Sequence, residues 1–84
     1  MSGAVRQLVA DVFQLEAENV APDDSPATIP AWDSLQHFSL VLEIEERFGL
    51  HLETEEIERI HSVAAIQELL LARGIDPDAE GNGP

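Results

Sequence analysis

The residues best suited to chemistry stand in "WDSLQH", where Asp33, Ser34 and His37 follow one another at the start of a hydrophobic segment. A hydroxyl directly behind an aspartate can do three things. It can cap a helix by accepting a backbone N–H. It can act as a nucleophile when a histidine takes its proton. It can also receive a phosphate ester, which the positive end of a helix dipole favours. A Ser34–His37 dyad at i, i+3 has no "G-x-S-x-G" turn and no evident oxyanion donor beside it, so catalysis is the weakest of the three readings. On the triplet alone, helix capping is the strongest.

Other candidates carry less. His51 and His61 stand apart, without metal-ligand spacing, and there is no cysteine to supply a thiolate. Asp23-Asp24-Ser25 lacks the remainder of a calcium loop. The acids from Glu43 to Glu58 face Arg47 and form a solvated surface that offers a divalent cation loose charge relief at most. No metal site is expected.

These residues sit in an 84-residue chain, enough for one domain with one core. Asp and Glu number 17 against four Arg and no Lys, a formal net charge of -13. Nucleic acid and anionic membranes would be repelled, while a partner with a basic patch would be drawn in and oriented. Residues 1–15 contain no long apolar run, and no stretch approaches bilayer length. The expectation is a soluble, monomeric, cytoplasmic domain.

Four helices would position the candidates. Val5, Leu8, Val9, Val12 and Phe13 recur at helical spacing and predict a first helix over roughly residues 3–17. Pro22, Pro26 and Pro30 then enforce a long loop, with Val20, Ile29 and Trp32 as its anchors in the core. Asp33 caps the second helix, Gln36 can complete a capping box, and Gly49 ends it. A short third helix follows Thr54, with Glu55 and Glu56 in its first turn, and Ser62 caps a fourth with Val63, Ile66, Leu69 and Leu70 inward. Residues 1–73 form the domain in this reading, and residues 74–84 an acidic, disordered tail.

The second helix carries two apolar stripes. His37, Leu40, Val41, Ile44 and Phe48 share the core face, where His37 packs with a satisfied nitrogen. Leu35, Phe38 and Leu42 share another, beside Ser34. Either this second stripe faces a partner, or the fourth helix or the long loop covers it.

Asp33-Ser34-Leu35, then "VLEIEERFGL", then "ETEEIERIHSVAAIQELL", together resemble the acyl carrier proteins and related carrier domains over roughly residues 5–73. The resemblance implies an all-α, four-helix bundle of acyl-carrier-protein type, with three longer helices and one short third helix. It implies a carrier and not an enzyme. Ser34 would bear 4'-phosphopantetheine, added from coenzyme A by a phosphopantetheinyl transferase, and the arm's thiol would hold cargo as a thioester. The partner surface carries over to Asp33, Leu35, Phe38, Leu42, Glu45, Glu46, Glu55 and Glu56. Partners would be that transferase, an acyl- or aminoacyl-loading ligase or transferase, and downstream biosynthetic enzymes with basic patches.

The fatty-acid carriers of the family usually have acids where this chain has Gln36 and Ser39, and a small aliphatic where it has Phe38. "WDSLQH" is more similar to stand-alone carriers of polyketide or other specialised pathways. The alternatives are an aminoacyl or peptidyl carrier of a nonribosomal-type pathway, and an acidic helical adaptor that is never modified.

Overall fold

A computed structural model describes residues 3–76, and all regular structure within them is helical. In chain order, α1 spans Gly3–Phe13, α2 Ser34–Phe48, α3 Thr54–Glu58 and α4 Val63–Ala72, with a 3-10 turn at Ala17–Asn19. This is the expected bundle of three longer helices and one short one. No helix among the described residues is long and apolar enough to cross a membrane. The predicted tail lies, from residue 77 on, outside the described residues.

The core is built from the apolar faces of α1, α2 and α4. Leu8, Leu40, Ile44, Ile66 and Leu70 are fully buried at its centre. Arg47 of α2 closes the α1–α2 seam at the surface, donating to Asp11 at 2.8 Å and to Glu43, one turn back, at 2.7 Å. That bonding, with a further hydrogen bond from Gln7, holds the Asp11 carboxyl below its usual range.

The first helix ends earlier than its apolar pattern predicts, at Phe13 and not near residue 17. Gln14 turns into the left-handed region at φ 58°, and Leu15 N–H donates back to Ala10 O at 2.8 Å. This six-to-one bond is the Schellman ending, which satisfies a carbonyl the helix would otherwise orphan. α2 ends the same way through Gly49 at φ 63°, with Leu50 N–H on Glu45 O at 3.1 Å. So does α4, through Gly74 and an Ile75 N–H to Leu70 O bond of 2.8 Å.

The long loop is anchored as expected: Val20, Ile29 and Trp32 are all buried. Its backbone also does work for α4. Val63 N–H donates to Asp24 O and Ala64 N–H to Pro22 O, each at 2.9 Å, while Ser62 Oγ takes Ala65 N–H at 3.1 Å. Three of the N–H groups that a helix start leaves unpaired are thereby satisfied. The loop is in turn stiffened by Asp24, which accepts from Ala21 N–H and Thr28 Oγ, both at 2.9 Å. Loop and α4 therefore brace the approach to α2.

Candidate functional site

Asp33 sets the start of α2. Its backbone is extended, and its Oδ1 accepts the Gln36 N–H at 2.9 Å. The expected capping box is only half made, because the Asp33 N–H goes to Ala31 O at 3.0 Å and not to the Gln36 side chain. With the cap supplied by Asp33, Ser34 is the first helical residue. It is exposed, and its hydroxyl has no hydrogen-bond partner among the described residues.

The backbone N–H groups of Ser34 and Leu35 are likewise without acceptors among the described residues. A free hydroxyl, two free amides and a helix dipole suit a phosphate ester, whose oxygens those amides can meet. The residues present therefore fit a phosphodiester-linked group at this position. They do not fit a hydrolytic centre. Both nitrogens of His37 are committed, Nδ1 accepting from Trp32 Nε1–H at 2.9 Å and Nε2 lying 3.2 Å from Ile57 O. No imidazole nitrogen is left to take the Ser34 proton.

An open cleft of about 570 Å³ runs beside Ser34. Trp32, Ile57 and Ile60 line it together with Asp33, His37 and His61. Sequence reasoning did not assign Ile57, Ile60 and His61 to a site. The i, i+3 spacing of the two isoleucines around the end of α3 was the one available signal, and it reads equally well as core. No cluster of ligating side chains suited to a metal occurs among the described residues.

The second apolar stripe of α2 is uncovered. Leu35, Phe38 and Leu42 are 75%, 60% and 49% exposed, so neither α4 nor the long loop lies over them. Leu40, Val41 and Ile44 on the other face are buried, while His37 and Phe48 are half-buried. Among the expected partner-facing acids, Asp33, Glu46 and Glu55 are also exposed.

Glu45 and Glu56 are used within the fold. Glu45 Oε2 accepts the Leu52 N–H at 2.8 Å, with His51 Nδ1 at 3.4 Å. Glu56 receives Arg73 Nε at 2.6 Å and the Glu53 N–H at 2.9 Å, which hold its carboxyl down at about 2.

Comparison with known proteins matches residues 3–70 to the family described as phosphopantetheine attachment site. The chain is 32% identical over 66 residues to an acyl carrier protein of Thermosynechococcus vestitus, a match covering 79% of this chain and 82% of that one. It is 26% identical over 72 residues to an acyl carrier protein of Syntrophus aciditrophicus, covering 86% of this chain and 90% of that one.

Proposed function

We propose, from the premise that this chain belongs to the phosphopantetheine-bearing acyl carrier proteins, that Ser34 is the residue to which the arm is attached. Such proteins are carriers and not enzymes. The observation that carries the assignment is the division of labour at the start of α2: Asp33 makes the cap, so the Ser34 hydroxyl is exposed and uncommitted. The unpaired amides of Ser34 and Leu35 would face the ester oxygens. Once attached, the arm supplies the thiol that a chain without cysteine lacks, and with it a thioester for cargo. The chain's part is to hold that cargo at high effective concentration before each partner enzyme.

In this reading Leu35, Phe38 and Leu42 dock against the transferase and the biosynthetic enzymes, with Asp33, Glu46 and Glu55 meeting their basic patches. Glu45 and Glu56 serve the same surface indirectly, by fixing the segment that leads into α3 and α3 itself. Residues 1–73 are the carrier domain and residues 74–84 an acidic extension, of which Ile75 still touches the core. The protein works in the cytoplasm.

The cargo is acyl, in a polyketide or other specialised pathway. Neutral Gln36 and Ser39 beside a 60% exposed Phe38 support a partner set unlike that of fatty-acid synthesis. The net charge of -13 supports acyl over aminoacyl cargo.

Incubating the chain with coenzyme A and a promiscuous phosphopantetheinyl transferase tests the attachment by intact mass. The expected result is a gain of one phosphopantetheinyl group that Ser34→Ala abolishes. A folded chain that gains nothing from several such transferases would instead be an unmodified adaptor.

A further inference from the structure

α3 is five residues long and buries none of its side chains completely. A helix of that length has little stability of its own. Polar ties from its neighbours hold it. Glu45 takes the Leu52 N–H where the chain enters, and Arg73 beyond α4 reaches both Glu56 and His51 O. The Arg73 bonds are exposed, and the Glu45 bond is half-buried where Leu52 enters the core. The third comes from inside the cleft, where His37 Nε2 meets Ile57 O at 3.2 Å.

That third tie is set by a residue on another segment. Trp32 Nε1 can only donate, so His37 Nδ1, 2.9 Å away, is the acceptor and carries no proton. The imidazole proton is then on Nε2, aimed at the Ile57 carbonyl. The Trp32 and His37 rings stack at 16° with centroids 6.2 Å apart, and Phe13 of α1 backs Trp32 at 5.3 Å. One imidazole thus joins the long loop, α2 and α3. Its two partners, Trp32 and Ile57, both line the cleft beside Ser34.

We propose that His37 is a positioning residue: by linking Trp32 to Ile57 O it seats α3 as a wall of the cleft that receives whatever Ser34 carries. The role at the cleft rests on the assignment of the arm to Ser34, whereas the linkage does not. Three substitutions separate its two bonds. His37→Phe keeps the ring and loses both. His37→Asn puts an amide oxygen near the place of Nδ1, keeping Trp32 and losing Ile57. His37→Gln reaches Ile57 O with an amide N–H and gives up Trp32.

Two readouts need no arm: amide hydrogen exchange over residues 54–60, and the indole N–H resonance of Trp32, the chain's one tryptophan. Exchange in α3 should rise about five- to tenfold in His37→Phe and His37→Asn, the worth of one hydrogen bond, and stay near wild type in His37→Gln. The indole resonance should move in His37→Phe and His37→Gln and stay in place in His37→Asn. The third readout is the alkylation rate of the arm's thiol on the loaded chain, which should follow α3 exchange and not the indole.

A residue that merely fills space would give no such crossover, and like behaviour of all three variants would overturn the proposal. Should His37→Phe fail to fold, the Asn and Gln variants decide alone. If Ser34 takes no phosphopantetheine, the assignment of Ser34 falls while the first two readouts still judge the linkage. If the loaded thiol reacts alike in every variant, the cleft role falls and the assignment of Ser34 stands.

Discussion

Asp33 Oδ1 holds the Gln36 N–H at 2.9 Å, so the side-chain cap beside Ser34 is made without the serine. Adjacent residues therefore have separable duties. Asp33→Ala should cost about 1 kcal/mol of stability, the usual worth of an N-cap. Ser34→Ala removes an exposed hydroxyl with no partner among the described residues and should stay within about 0.5 kcal/mol of wild type. Urea unfolding of both variants, beside their mass after treatment with the transferase, checks the pair. A Ser34→Ala variant as unstable as Asp33→Ala would mean that the hydroxyl is structural.

The two stripes of α2 should respond oppositely to truncation. Leu40 is wholly buried, and Leu40→Ala should cost about 2–5 kcal/mol, the sum of lost transfer energy and a cavity. Phe38 is 60% exposed, and Phe38→Ala should change stability by no more than about 0.5 kcal/mol. Its loss should appear in docking instead, as a fall of about fivefold or more in the transferase's kcat/KM for the unmodified chain. Unchanged kinetics would leave the stripe without a role at that partner.

Glu56 and Arg73 make the link between α3 and the end of α4 dependent on pH. The guanidinium and the Glu53 N–H lower the Glu56 carboxyl from 4.5 to about 2 in the folded chain. The unfolded chain binds that proton more readily, so the contribution is fully present above about pH 4.5 and is lost as pH falls towards 2. Arg73→Gln removes the main cause and should flatten the dependence of stability on pH in that window. Urea midpoints measured from pH 5 downwards test this, and parallel curves for the two proteins would refute it.

What the sequence made legible follows from which residues punctuate it. Asp33 and Gly49 bracket α2, Ser62 opens α4, and each does the backbone job its type suggests. Val20, Ile29 and Trp32 stand out as apolar residues among prolines and turn formers, and all three are buried. The wheel separates two stripes on α2, yet exposure belongs to tertiary structure, which decides that Leu35, Phe38 and Leu42 stay open. Carboxylates look alike in sequence. Only the fold brings the Leu52 N–H to Glu45 and Arg73 to Glu56, and leaves Glu46 and Glu55 to solvent. His37 is legible as a packed histidine, but Ile57 O lies 20 residues on and no local pattern points to it.

The end of α1 was illegible because Gln14 stands where the ends of α2 and α4 have glycine. Its φ of 58° matches the 63° of Gly49 and 78° of Gly74, and the same six-to-one bond closes each turn. A side chain with a Cβ is strained there, whereas glycine is not. Gln14→Gly should therefore stabilise the chain by about 0.5–1 kcal/mol, relief of strain outweighing the added freedom of the unfolded state. Gly49→Ala should do the reverse at the end of α2, by about 1 kcal/mol, although nothing lies within 4 Å of the added Cβ. Both effects come from backbone conformation and not from contacts, so they should appear equally in the bare and the loaded chain. Urea unfolding of the two variants measures them, and a Gln14→Gly chain less stable than wild type would show that the glutamine side chain does more than its conformation costs.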